Sequence, residues 1–261
     1  MPKRAVETDR VTSFFSRLRG TKILAALIII GIITISVATF TDSAQKLATF
    51  FGNLMQNEKQ RSLAELEKRK VEVNALSLIK SANNGDTETV ILLLRAGISP
   101  TVKDTQGWTA LHWAAMRGYT ATAQALIEAH ADVNAKDGAG QTPLMEAAAY
   151  CRDESVSLLI RSGANLRDPS SATALFWSAQ SGCEETVKRL IAAGMSVHDK
   201  QELGWTPLMA ACERGHLKVV QTLLNAGADR SLSNADGKTA LALAQDNGHS
   251  DIAAVLQQHG S

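Results

Sequence analysis

The sequence is poor in cysteine, in catalytic signatures and in the basic surplus that nucleic acids require. Its 261 residues hold three cysteines, Cys151, Cys183 and Cys212. None stands in C-x-x-C spacing, and an odd number cannot pair completely within one chain, so an oxidising compartment is permitted but not indicated. There is no G-x-x-x-x-G-K-[ST] phosphate loop, no H-E-x-x-H metal helix and no G-x-S-x-G nucleophile turn. No catalytic, cofactor-binding or metal-ligating residue is therefore assigned, and no small-molecule substrate is evident. Residues 81–261 carry fourteen Lys/Arg against nineteen Asp/Glu, a net charge of −5. That region lacks the electrostatic footprint that phosphate backbones demand, which argues against nucleic acid as a partner.

What is present is a period. Leu78, Leu111, Leu144, Leu175, Leu208 and Leu241 follow one another at spacings of 33, 33, 31, 33 and 33 residues. Around the last five lie the strings TALHWAA, TPLMEAA, TALFWSA, TPLMAAC and TALALAQ, opening on Thr109, Thr142, Thr173, Thr206 and Thr239. A threonine hydroxyl caps free N–H groups at a helix start, and Pro143 and Pro207 occupy first-turn positions where a missing donor costs nothing. Each string thus predicts a helix start. Gly85, Gly118, Gly182, Gly215 and Gly248 end that helix. A second helix follows with apolar residues at helical spacing, as in Val90/Leu93/Leu94, Val156/Leu159/Ile160, Val187/Leu190/Ile191 and Val220/Leu223/Leu224. Glycines 97, 163, 194, 227 and 260 close each unit. One unit cannot bury its apolar face alone, so the units are expected to stack into a quasi-linear solenoid with polar ends.

The strings resemble the T-P-L-H-x-A signature of ankyrin repeats over about two-thirds of the chain. The resemblance implies an all-α repeat solenoid of about six stacked units, each a β-turn finger followed by two antiparallel helices, spanning residues 72–261. Departures mark the ends and a few slots. The first copy has Leu76-Ser77 where threonine is expected, and the last has Ala242 in place of histidine and Gln245 in place of a small residue, so both read as capping units. His130 fills a glycine slot and Cys151 replaces a turn glycine. The finger 167–172 is two residues short and loses the D-x-x-G seen at Asp104 and Gly107, which reads as drift. Cys151 and Cys183 occupy neighbouring turn positions, where a disulfide is conceivable, but free small-residue substitutes are the preferred expectation.

Ahead of the repeats lie nineteen uncharged residues, 23–41. As a helix they would extend about 28 Å, close to the thickness of a bilayer's hydrocarbon core. One transmembrane helix at 23–41, after a basic tail at 1–22, is the preferred reading. A cleaved leader is the rival, because Ser36-Val37-Ala38 has the form of a cleavage site. Six Lys/Arg precede the span and only Lys46 follows within fifteen residues. That bias keeps the N-terminus cytoplasmic and places the repeats extracytoplasmically, in the periplasm of a bacterium. Residues 42–71 are expected to form an amphipathic and charged helical stalk. Leu47, Phe50, Phe51, Leu54 and Met55 either lie on the membrane surface or simply continue that stalk.

Five of the six histidines, His112, His130, His216, His249 and His259, fall in slots that the repeat explains; His198 stands alone on a finger. The carboxylate pairs Asp153/Glu154 and Glu184/Glu185 open outer helices, where they complement the helix dipole. The tryptophans are more informative. Trp113 and Trp177 share the slot two residues beyond the inner leucine, and Trp108 and Trp205 share the slot before the capping threonine. By resemblance to ankyrin proteins, these registers line a concave groove, with Met116, Arg117, Tyr150, Gln180, Glu213, Arg214, Asp246 and Asn247 in adjoining slots. Aromatic and arginine side chains commonly dominate interface energies, so a protein or peptide partner is expected. The competing explanation makes the indoles stacking residues of the helix layer. The expected function is a membrane-tethered protein–protein interaction scaffold. One alternative is an immunity or protective module blocking a toxin or effector; another is an enzyme using exposed Cys151, Cys183 or His198.

Overall fold

The computed structural model describes residues 40–166 and 173–258. Two compact units divide the chain, residues 1–60 and 61–261. In the first, residues 40–60 belong to helix α1 (Phe40–Lys68), along which Leu47, Phe50, Leu54 and Met55 are exposed. The basic tail and nearly all of the apolar stretch 23–41 lie outside the described residues, as do the short finger 167–172 and Gly260. Among the described residues no helix is long and apolar enough to cross a membrane.

The second unit starts inside the stretch read from sequence as stalk. Leu66 near the end of α1 is fully buried in the core of the repeats, with Leu63 packed beside it. The chain then turns at Lys70, a non-glycine residue at φ 57°. Among the described residues twelve α-helices follow as six pairs: α2 (Ala75–Asn84) with α3 (Thr87–Ala96), α4 (Ala110–Arg117) with α5 (Thr120–Glu128), α6 (Pro143–Ala149) with α7 (Asp153–Arg161). The remaining pairs are α8 (Ala174–Gln180) with α9 (Glu184–Ala192), α10 (Pro207–Arg214) with α11 (Leu217–Asn225), and α12 (Ala240–Asp246) with α13 (Ser250–Gln258). Each first helix packs on the first helix of the next pair, and each second helix on the next second helix, in chain order. No strands occur among the described residues; two isolated antiparallel bridges, Lys103 to Thr109 and Ser233 to Thr239, mark finger bases.

Local chemistry explains this punctuation. Thr109, Thr142, Thr173, Thr206 and Thr239 each cap their helix through the side chain. In the first pair the capping residue is Asn74, whose Oδ1 accepts from Ser77 N–H at 2.8 Å. His130 and Cys151 adopt φ 66° and 55°, the left-handed conformation that glycine holds elsewhere in the series. Leu78, Leu111, Leu144, Leu175 and Leu208 are buried to 2% exposure or less, whereas Leu241 in the last pair is only half-buried. Burial of these leucines between neighbouring pairs supplies the core that no single pair could form.

A second register ties each unit to the one before it. Tyr119, Arg152, Cys183, His216 and His249 all follow the turn that joins the two helices of a pair. The Tyr119 ring covers Gly85. Arg152 Nε donates to the carbonyl of Met116 at 2.9 Å, and His216 and His249 reach the carbonyls of Gln180 and Glu213 at 2.9 and 3.1 Å. Cys183 is bonded to Cys151, with an S–S distance of 1.94 Å and Cα atoms 5.2 Å apart. The expectation of three free cysteines is therefore corrected. Cys151 takes the left-handed turn and Cys183 takes the linking slot of the next unit, which brings their Cα atoms within bridging distance.

Candidate functional site

The fingers and first helices together form the face on which the sequence places partner contacts. Three of the fingers are built around an Asx-type turn. Asp104 Oδ1 accepts from the N–H groups of Gln106 and Trp108, both at 2.9 Å. Asp137 repeats the arrangement with Ala139 and Gln141, and Asn234 with Asp236 and Lys238. Neighbouring fingers also touch: Gly138 N–H donates to the Gln106 carbonyl at 2.9 Å, and Ala235 N–H to that of Leu203 at 2.7 Å. A Cβ at Gly107 would meet Gly138 N at 2.7 Å, so the first two fingers approach closely only because that residue has no side chain.

All four indoles are half-buried. Trp113 donates its Nε1–H to Asp104 Oδ2 at 3.2 Å, and its ring lies 4.7 Å from that of Trp108 at a 46° tilt. Trp177 donates to Gln141 Oε1 at 3.1 Å and meets Phe176 edge-on. Trp113, Trp177 and Trp205 also pack against the core. The indole donors of Trp113 and Trp177 are thus satisfied within the chain, and what they offer outward is ring surface.

The other expected contacts divide. Tyr150 is 52% exposed, Arg117 and Arg214 are exposed, and Gln180 and Glu213 are half-buried. Arg117 is held by Asn83 at 3.0 Å and Arg214 lies 3.7 Å from Glu213. Asp246 is exposed and paired with Lys238 at 2.7 Å, and the Asn247 side chain donates to the Leu243 carbonyl. Met116 does not belong on this face. Its side chain is buried in the helix layer, and what it contributes is its carbonyl, as acceptor for Arg152.

One residue on the face escapes the sequence reading. Glu146 occupies the slot two beyond its inner leucine, the register of Trp113 and Trp177, on the helix between them. Its carboxylate has no hydrogen-bond or ion-pair partner among the described residues. Burial, reinforced by the negative charge of Asp137, pushes its carboxyl up to about 7. The register shared with two tryptophans is the signal that could have found it.

His112 performs the structural task expected of it. Its Nδ1 accepts from Thr109 N–H at 3.2 Å and lies 2.8 Å from the Thr109 hydroxyl, while Nε2 lies 3.1 Å from the Gln141 carbonyl. An Nδ1 acceptor leaves the ring proton on Nε2, so His112 donates to the next finger. Desolvation lowers its pKa, in keeping with a neutral ring. Thiol chemistry loses its candidates here. Cys151 and Cys183 are joined, and Cys212 is fully buried with its thiol pushed up to about 12 by desolvation. His198 is exposed on its finger. Among the described residues no three His, Cys, Asp or Glu side chains converge as metal ligands.

Comparison with known proteins matches this architecture. The family described as "Ankyrin repeats (3 copies)" matches residues 58–137, 78–169, 129–201 and 175–261. The chain is 31% identical over 192 residues to the putative ankyrin repeat protein YahD of Escherichia coli K12, covering 69% of this chain and 94% of that protein. It spans 6% to 45% of the length of seven further curated relatives. Among solved structures, an ankyrin repeat domain from Acinetobacter baumannii AYE is similar with a TM-score of 0.63 and 34% identity, over 72% of this chain and 99% of that one. A chain from the complex of the predatory endopeptidase Bd0816 of Bdellovibrio bacteriovorus with the immunity protein Bd3460 is similar with a TM-score of 0.63 and 28% identity, over 69% and 96%. Helix pairs at a 33-residue period, threonine caps, linked fingers and these matches together place the chain in the ankyrin-repeat family.

Proposed function

We propose that this protein is a membrane-tethered interaction module that holds a protein or peptide partner on the face built by its fingers and first helices. The observation that carries the proposal is the state of the indoles. Trp113 and Trp177 are half-buried, their N–H groups are bonded within the chain, and their ring surface is left as the outward offer. Rigid aromatic surface of this kind binds at modest entropic cost, as at the hot spots of protein interfaces. Tethering rests on the apolar run 23–41 and the basic residues before it. The Cys151–Cys183 bond supports an extracytoplasmic repeat domain, because disulfides persist mainly in oxidising compartments.

A second reading is favoured by one specific likeness, that to a chain of the endopeptidase–immunity protein complex. On this reading the partner is a toxin or effector that the module blocks. Both readings share one test. A photocrosslinking residue at position 177 of the full chain is expected to capture a protein in intact cells; with the crosslinking residue placed instead at the exposed position 150, Trp113→Ala with Trp177→Ala is expected to abolish capture while helicity and a cooperative melt are retained. Unfolding of the double variant would show instead that the indoles serve the helix layer. Protease shaving of intact and opened cells reports the side of the membrane, and cleavage of the repeats only after the cytoplasm is opened would reverse the proposed orientation.

A further inference from the structure

Resting on that partner-binding reading, the geometry points to a specific occupant for the centre of the face: an arginine side chain of the partner, received by Glu146 between Trp113 and Trp177, with Asp137 adding a second negative charge. The repeat itself makes this juxtaposition. Helices α4, α6 and α8 pack side by side and present Trp113, Glu146 and Trp177 from one register. Trp177 leans back toward the unit of Glu146, since its indole reaches Gln141 on the finger that precedes α6. That finger also carries Asp137, whose charge acts on Glu146.

Among the described residues the electrostatics of the slot are incomplete. A half-buried carboxylate ordinarily draws a cation or hydrogen-bond donors, because removing its charge from water is costly otherwise. Glu146 has neither among the described residues, and the charge acting on it is of its own sign. Among the described residues, cations of this face are engaged elsewhere: Lys103 Nζ donates to the Lys136 carbonyl, Arg117 binds Asn83, Arg214 lies beside Glu213, and Lys238 pairs with Asp246. A guanidinium fits what remains. It can pair with a carboxylate through two parallel hydrogen bonds and stack on an indole face at the same time, which an ammonium group does less well. The net negative charge of residues 81–261 favours the approach of such a partner.

The test uses the full-length chain with 5-fluorotryptophan, whose four residues give four fluorine resonances assigned by single Trp→Phe substitutions. The probes are N-acetyl-arginine amide and its neutral isostere N-acetyl-citrulline amide. The arginine probe is expected to move the Trp113 and Trp177 resonances while leaving Trp205 in place, and to bind about tenfold more tightly than the citrulline probe. Glu146→Gln preserves shape and is expected to erase that preference. Equal response to the two probes, or a preference surviving in E146Q, would overturn the assignment. Crosslinking from position 177 separates the two levels of argument. Capture that is equal in parent and E146Q removes the arginine slot but keeps the binding face. An arginine preference without any capture keeps the slot and removes the protein partner.

Discussion

At position 146 a carboxyl group is placed where water would ordinarily be needed, and its protonation records the cost. Its folded-state value near 7 lies above the carboxylate range of an unfolded chain, so the native protein binds more protons between about pH 4.5 and 7. Stability contributed by this group is consequently full in acid and is lost as pH rises through that window. Glu146→Gln should melt at higher denaturant than the parent at pH 8, by on the order of 1 to 2 kcal/mol once solvent screening is allowed for, and match it at pH 4. Urea midpoints at the two pH values check this; an equal offset at both would show that ionisation is not the cause. Asp137 on the adjoining finger acts in the same direction as burial, and Asp104 and Lys103 stand on the preceding finger and His112 on α4. Those groups stay unchanged in the comparison. The tryptophans, and the histidines other than His198, were legible in the sequence because each sits in a slot that repeats. Glu146 was not, since in the string TPLMEAA nothing local shows that its neighbours across the stack are indoles. Met116 differs from its counterparts Gln180, Glu213 and Asp246, which are half-buried or exposed, and only packing shows that its side chain is covered.

Between residues and molecule stands the joint from one helix pair to the next, made in turn by a ring, a guanidinium, a disulfide and, at the last two steps, an imidazole. The fourth joint is tightly fitted. A Cβ at Gly182 would lie 2.6 Å from the His216 ring, and Gly182 is itself at φ 77°. Gly182→Ala should cost more than about 1 kcal/mol from backbone strain and this clash, and His216→Ala about 1 kcal/mol from the lost bond to Gln180. The double variant is expected to cost less than the sum, because removing the ring relieves the clash; strict additivity in a double-mutant cycle would deny that the two residues meet. At the third joint, iodoacetamide added to denatured, unreduced protein should modify Cys212 alone, with all three cysteines modified after reduction. Three labels without reductant would remove the bond, and with it a support for the oxidising compartment. Cys183→Ser should cost about 2 to 4 kcal/mol, the usual worth of closing a loop of this size. Thr and Gly announce the helix boundaries in the sequence itself, and these were read in place. The joint was visible only in part, because pairing Cys151 with Cys183 depends on a left-handed backbone at Cys151 and on the stacking distance between units.

Across the whole repeat unit the energetics should follow the order of stacking. Six leucines at one period fixed the number of pairs and their sequence before any coordinate, whereas the start of the compact unit near Arg61 was hidden, because the last turns of α1 carry the charge density of a solvent-exposed stalk around one buried Leu66. Helix contacts run from each pair to the next, so a defect should act according to how many neighbours its pair supports. Leu208 is buried in an inner pair, with helices α8 and α12 packed on either side of α10. Leu241 in the last pair is half-buried and has a neighbouring pair on one side only among the described residues. Leu208→Ala should therefore cost about 2 to 5 kcal/mol and weaken both flanking joints, while Leu241→Ala should cost clearly less, since part of its surface is already in water. Amide hydrogen exchange distinguishes the cases. In the Leu241 variant, loss of protection should be confined to α12 and α13, with α4 to α7 unchanged. In the Leu208 variant it should extend from α10 through α13 and into α8 and α9. Uniform loss of protection along all six pairs in the Leu241 variant would mean that the stack unfolds as one body, and nearest-neighbour stacking would then be the wrong description of its stability.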